Sequence, residues 1–245
     1  MRHKKISVIT MLIIFLFTSS YPQAMLINEK TKSDKKIEIV DKVIKSTEKV
    51  LEIDVEIPQI NGLNDKTKEK EFNDLIVKWT EDWIKDIKQI TKENFYPGLS
   101  TAFPYQAVAK YKVGRNDERV LSLYIDYYQF TGGAHGITTR KAYSLDIDSG
   151  KILSIKDLFK TDYKYDEAIN SEIRKQIETD KDKYFSGKEG FNGISENQNY
   201  YLVDDSIVIY FQQYEIAPYA AGIVEFNIPV ELFENNYIYG KIVDK

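Results

Sequence analysis

The amino-acid sequence predicts an α+β fold in which a mostly antiparallel sheet packs against two main helices. Short segments of alternating polarity recur along the 245 residues, and turn residues separate most of them. Two longer segments instead carry apolar residues at helical spacing. The resulting order, β-α-β-β-β-β-α-β-β-β, places several strands in succession and therefore favours antiparallel pairing over repeated βαβ units.

The first strand and the first helix are predicted from two different periods. Between Leu51 and Ile57 apolar and acidic residues alternate, which indicates a strand with one buried face. From 65 to 91 the apolar residues recur every three or four positions, which indicates an amphipathic helix. Trp79 and Trp83 lie on its apolar stripe, so we assign both to the core rather than to a sugar-stacking surface.

The other elements follow from turn signals and from one more helical period. Ile169, Ile173 and Ile177 recur every four residues and predict a second helix at 166–179. Glycine, asparagine and aspartate clusters bound the remaining predicted strands. These strands are 105–113, 120–130, 138–147, 152–155, 200–203, 206–211 and 225–229.

The first 24 residues have the order of charge and polarity that is typical of a secretory signal peptide. Three basic residues precede the apolar segment 6–17, and small residues follow it up to Ala24. An uncleaved membrane anchor is the alternative, although this segment is shorter than the ~20 residues that span a bilayer. Residues 25–47 are polar and Lys-rich, which indicates a tether, and residues 236–245 are predicted to form a tail.

Composition excludes several kinds of site. The chain has no cysteine, which excludes disulfides, thiolate nucleophiles and Cys-ligated zinc. Removal of residues 1–24 leaves His135 as the single histidine, which excludes metal centres built from two or three histidines. It also leaves 31 Lys and Arg against 38 acidic residues, a net charge of −7. An acidic surface disfavours nucleic acid and attracts cationic partners.

Four short motifs each have a structural interpretation that we prefer to a catalytic one. Gly132 and Gly133 lack the spacing of a phosphate-binding loop, so we expect them to supply positive φ angles. His135 follows them in the same turn, where backbone hydrogen bonding is the more common role. Glu215 is expected to fix its loop by accepting backbone N–H bonds, rather than to act as a general acid. Residues 146–150 indicate a β-turn rather than a calcium loop, because the spacing departs from the EF-hand pattern.

Three segments resemble a single protein family. They are TGGAH at 131–135, YSLDIDSGKILSIKDLF at 143–159 and YEIAPYAAG at 214–222. In this order they resemble the extracellular domain family shared by the anti-sigma-V factor, a lysozyme receptor, and the N-terminal region of peptidoglycan deacetylase C. The resemblance implies a two-part extracytoplasmic module, here residues 48–156 and 157–235, in a cell-envelope setting. In one branch of the family it also implies recognition of lysozyme.

The resemblance also supplies candidate binding residues, whereas no catalytic residue, metal ligand or cofactor is predicted. The candidates are Thr131, Gly132, Gly133, His135, Tyr143, Tyr214, Glu215 and Tyr219. Only five residues precede the apolar segment, and Lys245 ends the sequence. We therefore expect the sensing module without the sigma-binding region or the deacetylase domain of its relatives.

These observations favour an exported binding and sensing module of the cell envelope. Its expected partner is a cationic, lysozyme-like protein or a cell-wall component, and nucleic acid is not expected to bind. Contact with a membrane is expected only through the N-terminal segment, if that segment is uncleaved. The expected location is extracytoplasmic, either secreted or surface-tethered. The alternatives are a carboxylate-based enzyme that modifies wall glycan or peptide, and a purely structural envelope protein.

Overall fold

Eight strands and two α-helices make up the part of the chain that the computed structural model describes, residues 36–48, 50–94 and 104–240. The strands are β1 (Glu38–Thr47), β2 (Leu51–Asn61), β3 (Tyr105–Asn116), β4 (Val120–Phe130), β5 (Ile137–Asp146), β6 (Tyr200–Val203), β7 (Ser206–Phe211) and β8 (Val224–Pro229). The helices are α1 (Lys66–Asn94) and α2 (Tyr165–Glu178). The predicted α+β class, with mostly antiparallel sheets packed against two main helices, is confirmed.

Some predictions fall on residues that the structure does not describe. These are the signal peptide at 1–24, the first part of the tether at 25–35 and the end of the tail at 241–245. Within the described ranges, no helix combines the length and the apolarity that a bilayer crossing requires.

The first sheet has the strand order β1-β2-β3-β4-β5, and only the β2–β3 pair is parallel. α1 connects these two strands, and a helical crossover is the kind of connection that parallel neighbours need. The buried side chains of β2 alternate from Leu51 to Ile57 and share one core cluster with α1. The predicted strand with one buried face is therefore confirmed, and it extends to Asn61.

The two tryptophans of α1 pack against β4. The Trp83 indole is buried and donates a hydrogen bond to Gln129 Oε1 at 2.9 Å. Trp79 is partly buried, with its ring centroid 4.3 Å from that of Tyr127. The prediction that both belong to the core is confirmed, because their neighbours are core residues of the sheet. Leu75, which shares the apolar stripe in the sequence, is exposed instead.

The second sheet has the order β6-β7-β8, is antiparallel throughout, and packs with α2. Ile169 and Ile173 of α2 lie in its core, together with Val120 from β4 of the first sheet. The two sheets also meet where the Leu202 N–H donates to Ser122 Oγ at 2.8 Å. The division of the module into residues 48–156 and 157–235 stays a prediction.

The predicted tether contains a strand. Residues 38–47 form β1, which pairs antiparallel with β2 along its whole length. The Asn116 side chain holds the start of this segment, because its Oδ1 accepts from Ile37 N–H at 3.0 Å and its Nδ2 donates to Ile37 O at 2.8 Å. The tether prediction is wrong here because β1 is an edge strand with few buried side chains, so its pairing leaves little hydrophobic pattern.

The strand predicted at 152–155 is absent from the structure. Only a single bridge links Ile152 to Leu145, and a short 3-10 helix, Ile155–Leu158, follows. Asp157 stabilises this helix, because its Oδ2 accepts from Ser154 N–H at 2.8 Å. Leu153 and Ile155 are buried in the second core, whereas Ile152 is 40% exposed, and hydrophobicity alone does not distinguish core burial from pairing in a sheet.

The first part of the predicted tail belongs to the folded core. Tyr237 and Tyr239 are buried, and Tyr237 forms an antiparallel bridge with Phe159. The Ile238 N–H donates to Leu158 O at 2.9 Å. The tail prediction is therefore wrong for residues 236–240, because Asn236 ends a 3-10 helix, Val230–Asn236, and the residues after it hold their position through buried tyrosines.

Candidate functional site

Two loops that are distant in sequence meet at one end of β5. We call residues 131–136, between β4 and β5, the glycine loop, and residues 212–223, between β7 and β8, the tyrosine loop. The Tyr219 hydroxyl donates to Gly136 O at 2.9 Å, and the Thr138 N–H donates to Gln213 Oε1 at 2.6 Å. The first and third family-like segments of the sequence therefore lie side by side.

Three side chains from these loops form an exposed aromatic patch, His135, Tyr214 and Tyr219. The His135 and Tyr219 rings are stacked, with centroids 3.7 Å apart and an interplanar angle of 18°. The Tyr214 ring lies 5.7 Å from that of Tyr219, and its hydroxyl is 3.5 Å from His135 Nε2. Tyr214 is 50% exposed and His135 is also exposed, so the patch presents ring faces and edges to solvent.

The glycine loop takes its shape from residues that tolerate positive φ. Gly132 and Gly133 have φ angles of 98° and 91°, as the sequence predicted. Gly136 is needed for another reason, because a Cβ there would overlap the ring of Tyr128. His135 is turned back on this loop, with its Nδ1 3.0 Å from Gly136 O. That hydrogen bond fits the structural role predicted for His135.

The tyrosine loop is attached to the free edge of β5 by glutamine side chains. Gln212 Oε1 accepts from Arg140 N–H at 3.0 Å, and Gln212 Nε2 donates to Arg140 O at 2.8 Å. Glu215 then accepts from the Gln212 N–H through Oε2 at 2.7 Å. The prediction that Glu215 fixes its loop by accepting a backbone N–H is confirmed, although the residue is exposed rather than buried.

Tyr214 holds a strained backbone conformation. Its φ angle is 67°, in the left-handed region that a bulky side chain rarely occupies. Such conformations cost of order 1–3 kcal/mol and persist where the surrounding structure imposes them. At this position the strain projects a large aromatic ring into solvent beside two other rings, which is a common feature of binding sites.

The strand residue whose backbone holds Gln212 is a buried arginine, Arg140. Arg140 of β5 forms two hydrogen bonds with Asp126 of β4, at 2.6 and 2.7 Å, and an ion pair with Glu225 of β8. Its guanidinium also lies 3.8 Å above the Tyr124 ring, a cation–π contact. Burial alone would lower the pKa of Arg140, but the hydrogen bonds and charges of its acidic partners raise it above the ordinary value. Arg140 is therefore permanently charged, and its ion pairs join β4 and β5 of the first sheet to β8 of the second.

Sequence reasoning missed Arg140, and the sequence contains no signal that would have identified it. It lies between Thr139 and Lys141 in a strand whose polar residues indicate a solvent-facing side. Only the second sheet, which covers this half of the face, makes the position buried. Arg140 also pairs with the carboxylates of Asp126 and Glu225, so these two side chains are not free to act as an acid–base pair.

The structure brings together some of the predicted site residues and separates one of them. Tyr143 lies on the α1 side of β5, with its ring edge-on to Phe72 at 5.7 Å, and is partly buried in the first core. Thr131 starts the glycine loop and is half-buried. The other candidates lie in the two loops described above. Among residues 36–48, 50–94 and 104–240, no group of three or more His, Asp or Glu side chains is placed to hold a metal ion.

Fold and site together define a two-sheet α+β module with a loop-built aromatic patch. Residues 44–138 match the family model of deacetylase PdaC, and residues 156–231 match that of DUF3298, a family of unknown function. The resemblance inferred from the three sequence segments is confirmed.

Two curated proteins of Bacillus subtilis strain 168 are similar to this chain. The anti-sigma-V factor RsiV is 29% identical over 196 residues, which is 75% of this chain and 64% of RsiV. The peptidoglycan-N-acetylmuramic acid deacetylase PdaC is 29% identical over 111 residues, which is 44% of this chain and 24% of PdaC. The chain therefore matches less than two thirds of the length of either relative.

Two solved structures share the fold. A DUF3298-family protein from Bacteroides fragilis has a TM-score of 0.62 at 21% identity, covering 85% of this chain and 96% of its own. A DUF3298-family protein from Pseudomonas aeruginosa has a TM-score of 0.51 at 15% identity, covering 83% of this chain and 94% of its own. At these identities the likeness concerns the fold alone.

Proposed function

We propose that this chain is an exported sensing and binding module of the cell envelope, and that the aromatic patch is the centre of its binding surface. The observation that carries the proposal is the convergence of His135, Tyr214 and Tyr219 from loops that lie about 80 positions apart. Glycine could adopt the φ angle of 67° at position 214 without strain, yet the chain has a tyrosine there that is 50% exposed. A ligand that packs on the Tyr214 ring would explain why the strained conformation is kept.

The relatives support the envelope setting. One is an anti-sigma factor, and the other acts on peptidoglycan. The signal-peptide pattern of residues 1–24 agrees with a position outside the cytoplasm, either secreted or surface-tethered. An extracytoplasmic module that senses a wall component or a wall-directed protein combines these features.

The partner that we propose first is a cationic wall-lytic protein such as lysozyme. The chain without residues 1–24 carries a net charge of −7, so a cationic protein is attracted at long range and associates faster. Exposed tyrosines then provide the short-range contact, because a Tyr ring buries a large area at little cost in conformational entropy. Glu215, next to Tyr214 in the chain, adds an exposed acidic side chain to the same loop.

The test is a titration of the purified protein with lysozyme at low and at physiological salt. Screening over a Debye length of about 8–10 Å should weaken the long-range attraction, while contacts buried at the patch persist. Tyr214→Ala should then weaken binding at physiological salt by about tenfold or more, as for a hot-spot residue.

Leu75→Ala is the matched control. Leu75 is also an exposed apolar residue, but it lies on α1, which packs on the other face of the first sheet, so its variant should bind like the parent protein. Binding that disappears at physiological salt would mean charge attraction without a specific surface. Absence of binding at both salt concentrations would reject lysozyme and leave a cell-wall component as the ligand to test with the same variants.

A further inference from the structure

The two edges of the first sheet are treated differently by the fold. Along β5, Gln212 and Gln213 occupy the backbone groups of Arg140 and Thr138, and Leu153 N–H donates to Ser144 O at 2.8 Å. Along β1, no backbone N–H or C=O of residues 38–47 bonds to anything but β2 within the described ranges. A long strand with free backbone groups is a template for pairing with another strand.

β1 also exposes apolar side chains on both faces of the sheet. Val40 is 53% exposed and Val43 is 52% exposed, and their spacing of three residues puts them on opposite faces of the strand. Near Ile44, a groove of about 460 Å³ runs between β1 and Ile84 of α1. Edge strands of soluble proteins usually avoid such exposure, so something that covers both faces of this strand is expected.

We propose that β1 is a self-association edge, at which two copies of this chain pair antiparallel and join their sheets into one of ten strands. A closed dimer has a two-fold axis, and between antiparallel strands that axis runs perpendicular to the sheet. Residues that face each other across it then lie on the same face, so the register must centre on one residue that meets its own copy. This condition leaves few registers to compare.

Charge and the length of the pairing together select one of these registers. Centring on Asp41 or on Lys42 places like charges directly opposite each other, which is destabilising. Centring on Val40 sets Glu38 opposite Lys42, but it pairs only residues 38–42 of β1.

Centring on Val43 brings Val43 against Val43, sets Asp41 opposite Lys45 on both sides of the axis, and pairs residues 39–47. In the free chain Lys45 also lies 3.3 Å from Asp54, and Asp41 and Lys45 are each two residues from Val43, so strand alternation places both charges on the same face of β1 as Val43.

The same register accounts for the groove. On the α1 side it places Lys42 of the second copy opposite Ile44, so the aliphatic part of that lysine covers the open side of the groove. Strand pairing, two apolar contacts and two pairs of opposite charges then contribute together. The proposal concerns β1 alone and does not depend on the ligand of the aromatic patch.

Disulfide cross-linking of the full chain tests the register, because the natural sequence has no cysteine. In the proposed dimer the two copies of position 43 face each other with Cα atoms about 4.5–5.5 Å apart, within disulfide range. Val43→Cys should therefore form a covalent dimer on mild copper-catalysed oxidation. Val40→Cys is the matched control, since it is equally exposed but lies about 20 Å from its own copy in this register. It should stay monomeric.

Charge reversal provides the second measurement, in the Val43→Cys background. Asp41→Lys or Lys45→Asp alone should lower dimer formation by about tenfold, and the two together should restore it, because the swapped charges are again opposite. Equal cross-linking of the Val40 and Val43 variants would overturn the proposal, and so would a monomeric Val43→Cys variant. Failure of the double reversal to restore dimer formation would also overturn it.

Discussion

At the scale of single residues, the aromatic patch depends on backbone conformations that most amino acids avoid. Gly132 and Gly133 have positive φ angles, and so does Tyr214, which has no such freedom. Gly222, near the end of the tyrosine loop, has a φ of 69°. In the two loops, every positive φ angle except that of Tyr214 is therefore at a glycine, which adopts it without strain.

Gly133→Ala should lower the free energy of unfolding by about 1–2 kcal/mol, because an L-residue at this φ brings its Cβ close to the backbone. No heavy atom outside residues 132–134 lies within 4 Å of the position that the new Cβ would take, so the cost comes from the local backbone alone. Denaturant unfolding of both proteins measures the difference. An unchanged midpoint would mean that the loop adopts another conformation at no cost.

His135→Ala should have a smaller effect, below about 1 kcal/mol, because it removes one exposed ring stack and one local hydrogen bond. The same unfolding measurement applies. If this variant instead lost an enzymatic activity at an unchanged melting temperature, the structural interpretation of His135 would be wrong.

At the scale of elements, Arg140 joins strands of both sheets. It is 8% exposed, whereas its partners Asp126 and Glu225 are 32% and 41% exposed. Breaking a fully buried pair costs 3–5 kcal/mol, and partial exposure reduces that penalty. Arg140→Met should therefore lower the free energy of unfolding by about 2–4 kcal/mol, since it leaves two carboxylates without a cation and removes the stack on Tyr124.

Lys78→Met is the control for this prediction. Lys78 also pairs with an acid, Asp82, but both side chains are exposed on α1, where an ion pair contributes little to stability. Its unfolding midpoint should match that of the parent protein. A parallel loss in both variants would mean that total charge, rather than the joint between β4, β5 and β8, governs stability.

At the scale of the whole molecule, the first 24 residues predict export, and their removal would change the net charge from −4 to −7. The native protein should begin near Tyr21 or Met25, because an apolar segment and small residues precede these positions in the order of a cleavable signal. The intact mass of protein purified from its natural host measures this. A species that retains Met1 and partitions with membranes would show an uncleaved anchor instead.

Strand boundaries could be predicted where side chains report burial. The bounds of β4, β6 and β7 are those that polarity and turn residues indicate, because both ends of each strand carry a clear change of pattern. β1 could not be predicted, because an edge strand is stabilised largely by its backbone, and its apolar residues fall in the neighbouring pairs 39–40 and 43–44 instead of alternating with polar ones. The segment 152–155 failed for the opposite reason, since burial alone does not make a strand.

The candidate site was only partly accessible from the sequence. The segments that contain His135, Tyr214 and Tyr219 were recognisable, but nothing local indicates that the rings would touch. Tyr143 belongs to an equally recognisable segment, yet strand alternation turns its ring toward α1. Proximity of this kind depends on how two loops leave their sheets, which is a property of the packed structure.

The sequence by itself determined the fold class, the two amphipathic helices, the signal-peptide pattern and the absence of cysteine chemistry. Each of these follows from composition or from a period within a single segment. Only the tertiary structure decided that β1 lies at the edge of the first sheet, that Arg140 is buried, and that two loops form one patch. These features depend on contacts between distant segments, whose free energies no single segment contains.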